Sequence, residues 1–281
     1  MINLVIHLFF FSNALASAVS VEYLNQSGSA ADLPASCKQI RLAGLSHGNG
    51  IYYIRDSNMI AYPVYCDMTL GSGGWTLVAS IHENNIRNTG RCQTGDRWSS
   101  ESGNEKNAKV GADNWSNYNT FGHVASATSD DYKNQAYFDL QARDVMIWQV
   151  PNDTPLVEYD SASYLQYRTT DGFLKDCGGN LYNLYNSYYP IVSGRYTYQS
   201  DHGPAVFLTY DKGNAEEAVS YYGTTVQGNV DPGFIQFRAI NAYQNAYAMC
   251  LSGKLHGSFS QAGMACIGST ADNTGQQPIC F

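Results

Sequence analysis

The stretch that most constrains the fold begins at Tyr65-Cys66-Asp67-Met68-Thr69 and passes through the glycine cluster Gly71-Ser72-Gly73-Gly74. It continues into Trp75-Thr76-Leu77-Val78-Ala79-Ser80 and then His82-Glu83-Asn84-Asn85. A cysteine precedes a glycine turn, the turn feeds an apolar run, and the run delivers a loop rich in oxygen donors. Glycine adopts positive φ without a Cβ penalty, so the cluster reads as a hairpin turn. It is too short for a dinucleotide-binding fingerprint and leads into a strand rather than a helix. The donor-rich loop closes on Cys92 and Gly95-Asp96-Arg97-Trp98.

Ahead of this stretch, Met1 to Phe11 is an apolar run followed by Ala14-Leu15-Ala16 and Ala16-Ser17-Ala18, small-residue patterns of the kind at which leaders are cut. Residues 1–18 are therefore expected to be a signal peptide and the protein to be secreted. The run is too short to span a bilayer, and no later segment has the length and apolarity of a membrane helix. Asn25, Asn114 and Asn152 head Asn-X-Ser/Thr sites, which suit an exported chain. So do seven cysteines, an odd number that implies disulfides with one thiol left over. Sequence alone does not give the pairing. With 16 basic against 24 acidic side chains the net charge is −8, and no Lys/Arg cluster is present to neutralise a run of phosphates. That balance excludes nucleic acid as the expected partner.

The rest of the chain reads as one α+β domain. Val21–Ala35 is small and polar, so residues 19–35 are taken as a short linker and 36–281 as the domain. Ser36 is placed to cap a brief helix through Cys37-Lys38-Gln39-Ile40. Five runs rich in β-branched and aromatic residues are predicted strands: 75–80, 145–150, 164–168, 205–210 and 234–240. Leu181, Leu184, Tyr185 and Tyr188 share one helical face, ended by Pro190. Long loops of Gly, Asn, Ser and Asp fill the remainder.

Calcium takes six to eight oxygens from carboxylates, amides, carbonyls and water. Glu83, Asn85 and Asp96 supply such oxygens, Gly90 and Gly95 allow the backbone to turn its carbonyls inward, and Asp130 and Asp131 add carboxylates from further along the chain. Without other information, a solvated acidic loop is the alternative.

Cys66-Asp67-Met68 with Gly73-Gly74-Trp75-Thr76-Leu77-Val78 resembles the opening of fibrinogen C-terminal-like domains. His82-Glu83-Asn84, Gly95-Asp96-Arg97-Trp98-Ser99-Ser100, Asn114 to Gly122 and Ala127 to Asn134 are similar to the intelectins, or X-type lectins, over about Ser36 to Cys280. The resemblance implies a fibrinogen-like α+β fold with twisted β-sheets, short helices and long calcium-binding loops. It also implies a non-catalytic, calcium-dependent lectin that recognises glycans, microbial ones among them, in innate defence.

Carried over position by position, His82, Glu83, Asn85, Gly90, Gly95, Asp96 and Asp131 would hold structural Ca2+. His82 would act through its backbone carbonyl, because imidazole is a poor ligand for so hard an ion. Asn85 stands where a carboxylate is often found, and the segment from Asn85 to Cys92 is about two residues longer than the family pattern. The resemblance pairs Cys37 with Cys66, Cys92 with Cys280, and Cys250 with Cys266. A further family bridge would fall near Tyr196 and at Ser258, where this chain has no cysteine. Cys177 is then either a buried free thiol or a link between protomers, since family members assemble into homo-oligomers.

The family's sugar site departs further. Its glycan-coordinating calcium is held by an Asn, two Glu and a His, yet Ser258 to Ala265 contains no carboxylate or imidazole. His256, Asp272 and Asn273 read as ordinary loop residues. The chain stops at Phe281, so the domain is expected to be C-terminally shortened and its sugar-binding residues are unknown. The rival expectations are a calcium-stabilised structural or protein-binding module that has lost the sugar site, and a truncated lectin product. Tyr188, Tyr189, Tyr196, Tyr198, Tyr221 and Tyr222 offer rings for stacking on a sugar, or else simply pack. Gly44-Leu45-Ser46-His47-Gly48 matches the nucleophile-elbow pattern, but lacks the strand before it and the helix after it that the pattern requires. No H-E-x-x-H, P-loop or zinc-type Cys/His cluster is present.

Overall fold

The structure is a computed structural model that describes residues 4–12, 30–82, 115, 117–189, 202–220, 230–241, 245–250, 253–255 and 266–267. The cysteine-glycine stretch builds the hairpin expected of it. Naming strands in chain order, β1 is Leu4–Ser12, β2 Gly50–Arg55, β3 Ala61–Asp67 and β4 Trp75–His82. β3 and β4 pair antiparallel through Cys66 with Thr76 and Asp67 with Trp75. Four consecutive residues of the turn, Gly71 to Gly74, have positive φ. The buried Asp67 carboxylate organises this turn, accepting from the N–H and hydroxyl of Thr69, both at 2.8 Å. The Trp75 indole N–H donates to the Leu70 carbonyl at 2.9 Å.

Ahead of the hairpin, the Ser36 hydroxyl accepts from the Gln39 N–H at 3.1 Å and caps a helix at Cys37–Leu42, as expected for an N-cap serine. Cys37 is disulfide-bonded to Cys66, the pairing implied by the resemblance, and so ties this helix to β3. The Cys37 N–H also donates to the Thr76 hydroxyl at 3.1 Å.

Further along, β5 is Tyr132–Lys133, β6 Ala142–Pro151, β7 Leu165–Arg168, β8 His202–Phe207 and β9 Thr209–Lys212. The main sheet has the order β2-β3-β4-β1-β6-β7-β9, with β5 paired to the free half of β4. All of β4 is buried, and β6 nearly so. Along β6 the side chains divide by parity. Val145 and Ile147 enter one apolar cluster with Val78, Ile81 and Tyr167. Met146, Trp148 and Val150 enter a second with Tyr65, Trp75 and Leu77. Burial on both faces explains why 145–150 is a continuous apolar run rather than an alternating one.

β1 lies at the centre of this sheet. Val5 pairs with both His82 of β4 and Val150 of β6, and Phe10 with both Thr76 and Val145. The residues read as the heart of a leader are thus hydrogen-bonded along both edges.

A second sheet contains β11 (Phe234–Asn241), β12 (Asn245–Cys250) and β14 (Cys266–Ile267) in the order β14-β12-β11-β8, while β10 (Val230–Pro232) pairs with β13 (Gly253–Leu255). The described chain is therefore mixed α+β, with antiparallel sheets and a few short helices. Among the described residues, no helix is long and apolar enough to cross a membrane.

Two expectations need correction. The run 205–210 is not one strand: it breaks at Leu208, whose N–H donates to the Gly233 carbonyl at 2.9 Å, so β8 and β9 join different sheets. The helical face at 181–188 holds for only part of its length. Leu181, Leu184 and Tyr185 are buried, but an α-turn at Leu181–Asn183 gives way to a π-turn at Leu184–Tyr188, closed by Tyr189 N–H to Leu184 O at 2.7 Å. The wider turn carries Tyr188 out of the face, and it is 56% exposed.

Candidate calcium site and an adjoining aromatic surface

β4 ends at His82, and beside it Asp131 leads into β5. Ala79 and Ser80 of β4 pair with Lys133 and Tyr132. This register brings the two expected ligand segments together: the His82 backbone N–H donates to Asp131 Oδ1 at 2.8 Å, and both residues are buried. The neighbouring Asp130 carboxylate accepts from the Asp131 N–H at 2.8 Å. Glu83, Asn85, Gly90, Gly95 and Asp96 lie outside the described residues. Among the described residues no group of three His, Cys, Asp or Glu side chains converges as a metal site. Of the expected ligand side chains, the described residues include the buried Asp131 carboxylate, an oxygen donor of the class calcium takes.

The platform under Asp131 is tightly built. The Asn134 side-chain amide donates to the Leu77 carbonyl at 2.9 Å and to the Tyr132 hydroxyl at 2.7 Å. Its Oδ1 accepts from the Ala136 N–H at 3.0 Å. The Ser80 hydroxyl donates to the Ala127 carbonyl. Gly122, at φ +73°, packs its Cα against the Asp131 carbonyl so closely that a Cβ would overlap it. Segment 127–134 is thus tied to β4 through Asn134 and Ser80, and Gly122 packs on that segment at Asp131.

Lys133 was not singled out by sequence reasoning, yet among the described residues it is one of the largest fully buried side chains, at 1% exposure. Its ammonium donates to the Asn117 carbonyl at 2.8 Å and to Asn117 Oδ1 at 3.2 Å, and lies 4.5 Å from the Tyr137 ring centroid. Burial pushes its pKa down to about 7. No local signal marks such a lysine. Its partners come from a loop 16 residues away.

An aromatic surface adjoins Asn117 in the chain. Tyr118, next in the chain, is 64% exposed and rests on Tyr182 with ring centroids 4.3 Å apart, flanked edge-on by Phe138 at 5.0 Å. Partial burial and a hydrogen-bonded contact with the Tyr118 hydroxyl push the Tyr182 pKa up to about 12. Of the tyrosines considered for stacking, Tyr188 is exposed and Tyr189 is half-buried; Tyr196, Tyr198, Tyr221 and Tyr222 lie outside the described residues. Tyr118 and Tyr182 were missed because their pairing is made across 64 residues of sequence.

The remaining candidates fall elsewhere. Gly44-Leu45-Ser46-His47-Gly48 lies between the helix Cys37–Leu42 and β2, the reverse of the strand-turn-helix order of a nucleophile elbow. There the His47 N–H donates to the Tyr52 hydroxyl at 2.9 Å, and that hydroxyl donates to the Gly48 carbonyl at 2.7 Å. Cys177 is a half-buried free thiol whose pKa is pushed up, first by burial and then by Asp176. Cys250 and Cys266 are register partners on β12 and β14. Cys92 and Cys280 lie outside the described residues. No known protein-family model matches the chain.

Proposed function

We propose that this chain is a secreted, intelectin-like domain of fibrinogen-like fold, stabilised by calcium, that recognises glycans non-catalytically in innate defence. The observation that carries the reading is the hydrogen bond from His82 N–H to Asp131 Oδ1. It joins two segments, 49 residues apart, that the resemblance assigns to one calcium site. When bound, the ion would supply positive charge that holds the loop after His82 to the carboxylate of Asp131. Glu83, Asn85, Gly90, Gly95 and Asp96 would complete the shell. The exposed Tyr118 ring, braced by Tyr182 and Phe138, offers the apolar face on which a sugar ring stacks.

Retention of the purified protein on immobilised galactose or ribose in calcium, with elution by EDTA, tests this reading. Calcium-dependent retention supports it. A folded protein that flows through in calcium sinks the glycan part. A second reading is a calcium-stabilised protein-binding module, favoured by the lack of any carboxylate or imidazole in Ser258–Ala265. It shares the calcium-dependent stability and lacks the retention.

A further inference from the structure

The central strand of the main sheet is the segment whose sequence reads as a leader. β1 is antiparallel to β4 and to β6, so these two strands run parallel to each other with one strand between them. The far side of β4 is held by β3 and β5, and the far side of β6 by β7. Taking β1 away would leave two facing rows of backbone N–H and C=O groups inside a sheet whose two faces both carry buried side chains. Closing the lane would require β4 and β6 to approach by one strand spacing, about 4.8 Å, and to drag both apolar clusters with them.

We propose that the lane between β4 and β6 is a strand-acceptor site that takes an uncharged, apolar, extended segment of another polypeptide once residues 1–18 are processed off. The inference rests on the reading of those residues as a leader. The walls fix what fits. The occupant runs antiparallel to both β4 and β6 over about nine residues, the length of β1. From Val5 to Phe10 it faces His82 to Thr76 on one side and Val150 to Val145 on the other, a register in which no Asp, Glu, Lys or Arg stands on either wall. The occupant in this structure, Leu-Val-Ile-His-Leu-Phe-Phe-Phe-Ser, likewise carries none of those residues. Main-chain pairing along both edges provides the affinity, and the buried faces select against charge.

The test uses the full chain, folded with a protease site introduced between residues 19 and 29 and then cut. The severed N-terminal fragment is expected to co-elute with the body. A fluorescent peptide of residues 4–12, solubilised by lysines outside the strand, is expected to exchange into the body with saturable anisotropy. It should also raise the melting temperature as its concentration increases. The same peptide with Leu8→Pro, which removes a ladder donor, is expected to bind at least tenfold more weakly, as is one with Leu8→Asp.

The proposal is overturned if the fragment leaves and the body keeps its melting temperature and the amide protection of β4 and β6. It is equally overturned if the Leu8→Asp peptide binds as well as the parent. A body that doubles in mass without peptide would assign the lane to a second copy and overturn the proposal too. The intact mass of the protein recovered from the medium reads the leader separately. Retention of residues 1–18 there refutes the leader and with it the open site, even where the exchange assay shows that the lane binds peptide.

Discussion

The backbone N–H of His82 donates to Oδ1 of Asp131 at 2.8 Å, across the junction where β4 leaves the sheet. Asp131→Ala strands a buried donor, at a cost of about 1–3 kcal/mol, and removes a charged oxygen from the proposed ion. Asp131→Asn keeps an acceptor for His82 but not the charge. Thermal melts with and without calcium separate the two roles. The Ala variant is expected to lose both basal stability and the calcium response, and the Asn variant mainly the response. A full calcium response in Asp131→Ala would remove Asp131 from the site.

A second carboxylate sets a pH dependence. Burial, and secondarily the Asp160 charge, raise the Asp67 pKa above its ordinary value, against the opposing hydrogen bonds from Thr69 and Leu70. The folded chain therefore binds more protons at this site than the unfolded chain, over the interval between the ordinary carboxylate pKa and the raised one. Stability contributed here is greatest below that interval and falls as pH rises through it. Asp67→Asn retains an oxygen for the Thr69 donors and cannot ionise. Its denaturation midpoint is expected to lack the decline across that interval. A decline identical to the parent's would show that another group is responsible.

The glycine turn yields a contrast. Gly73 sits at φ +61° with its Cα against the Met68 backbone carbonyl, so a Cβ would overlap rigid main chain. Gly71, at φ +51°, faces the Arg168 guanidinium, where a Cβ would come 2.7 Å from Cζ. That side chain is flexible, although it is paired through Nε with Asp211 Oδ2 at 2.8 Å. Gly73→Ala is expected to cost upwards of about 3 kcal/mol, against roughly 1–2 kcal/mol for Gly71→Ala, where the arginine moves and the strain is mainly that of positive φ. Urea denaturation of the two variants orders them, and a larger loss at Gly71 would contradict the argument.

What was legible in the sequence was what local chemistry encodes. The glycine cluster announces its turn because only glycine adopts such φ values without cost, and Ser36 announces its cap because its hydroxyl satisfies a nearby N–H. The runs 75–80 and 145–150 announce strands because both their faces are buried. The break at Leu208 was not legible: it depends on a carbonyl of Gly233, 25 residues on. The ammonium of Lys133 finds Asn117, and the ring of Tyr118 finds Tyr182, only through the tertiary fold. In the candidate site, the Asp131 segment was readable from its motif, but its meeting with His82 depends on the pairing of β4 with β5.

The second sheet makes a covalent prediction. Cys250 on β12 lies opposite Cys266 on β14 in the antiparallel register. Residues directly opposite in such a pair have Cα atoms about 4.5–5.5 Å apart, within the span of a disulfide. Peptide mapping of the unreduced protein is expected to recover these two cysteines linked, alongside Cys37 with Cys66. Cys177 is expected as a single alkylated thiol, and its recovery in a dimeric peptide would make it a link between protomers.

The aromatic surface tests glycan recognition at a single side chain. Tyr118 exposes most of its ring while Tyr182 and Phe138 hold it in place, so removing it opens no buried cavity. Tyr118→Ala is therefore expected to leave the melting temperature within about 2 °C of the parent, as for an exposed substitution. If a sugar stacks on this ring, the same change should weaken calcium-dependent retention by roughly fivefold, the equivalent of about 1 kcal/mol of stacking. Tyr118→Phe keeps the ring face and loses the hydroxyl contact with Tyr182, so it should bind nearly as the parent does and lower the Tyr182 pKa. Equal retention by the parent and Tyr118→Ala would remove this surface from glycan recognition and leave the calcium scaffold reading intact.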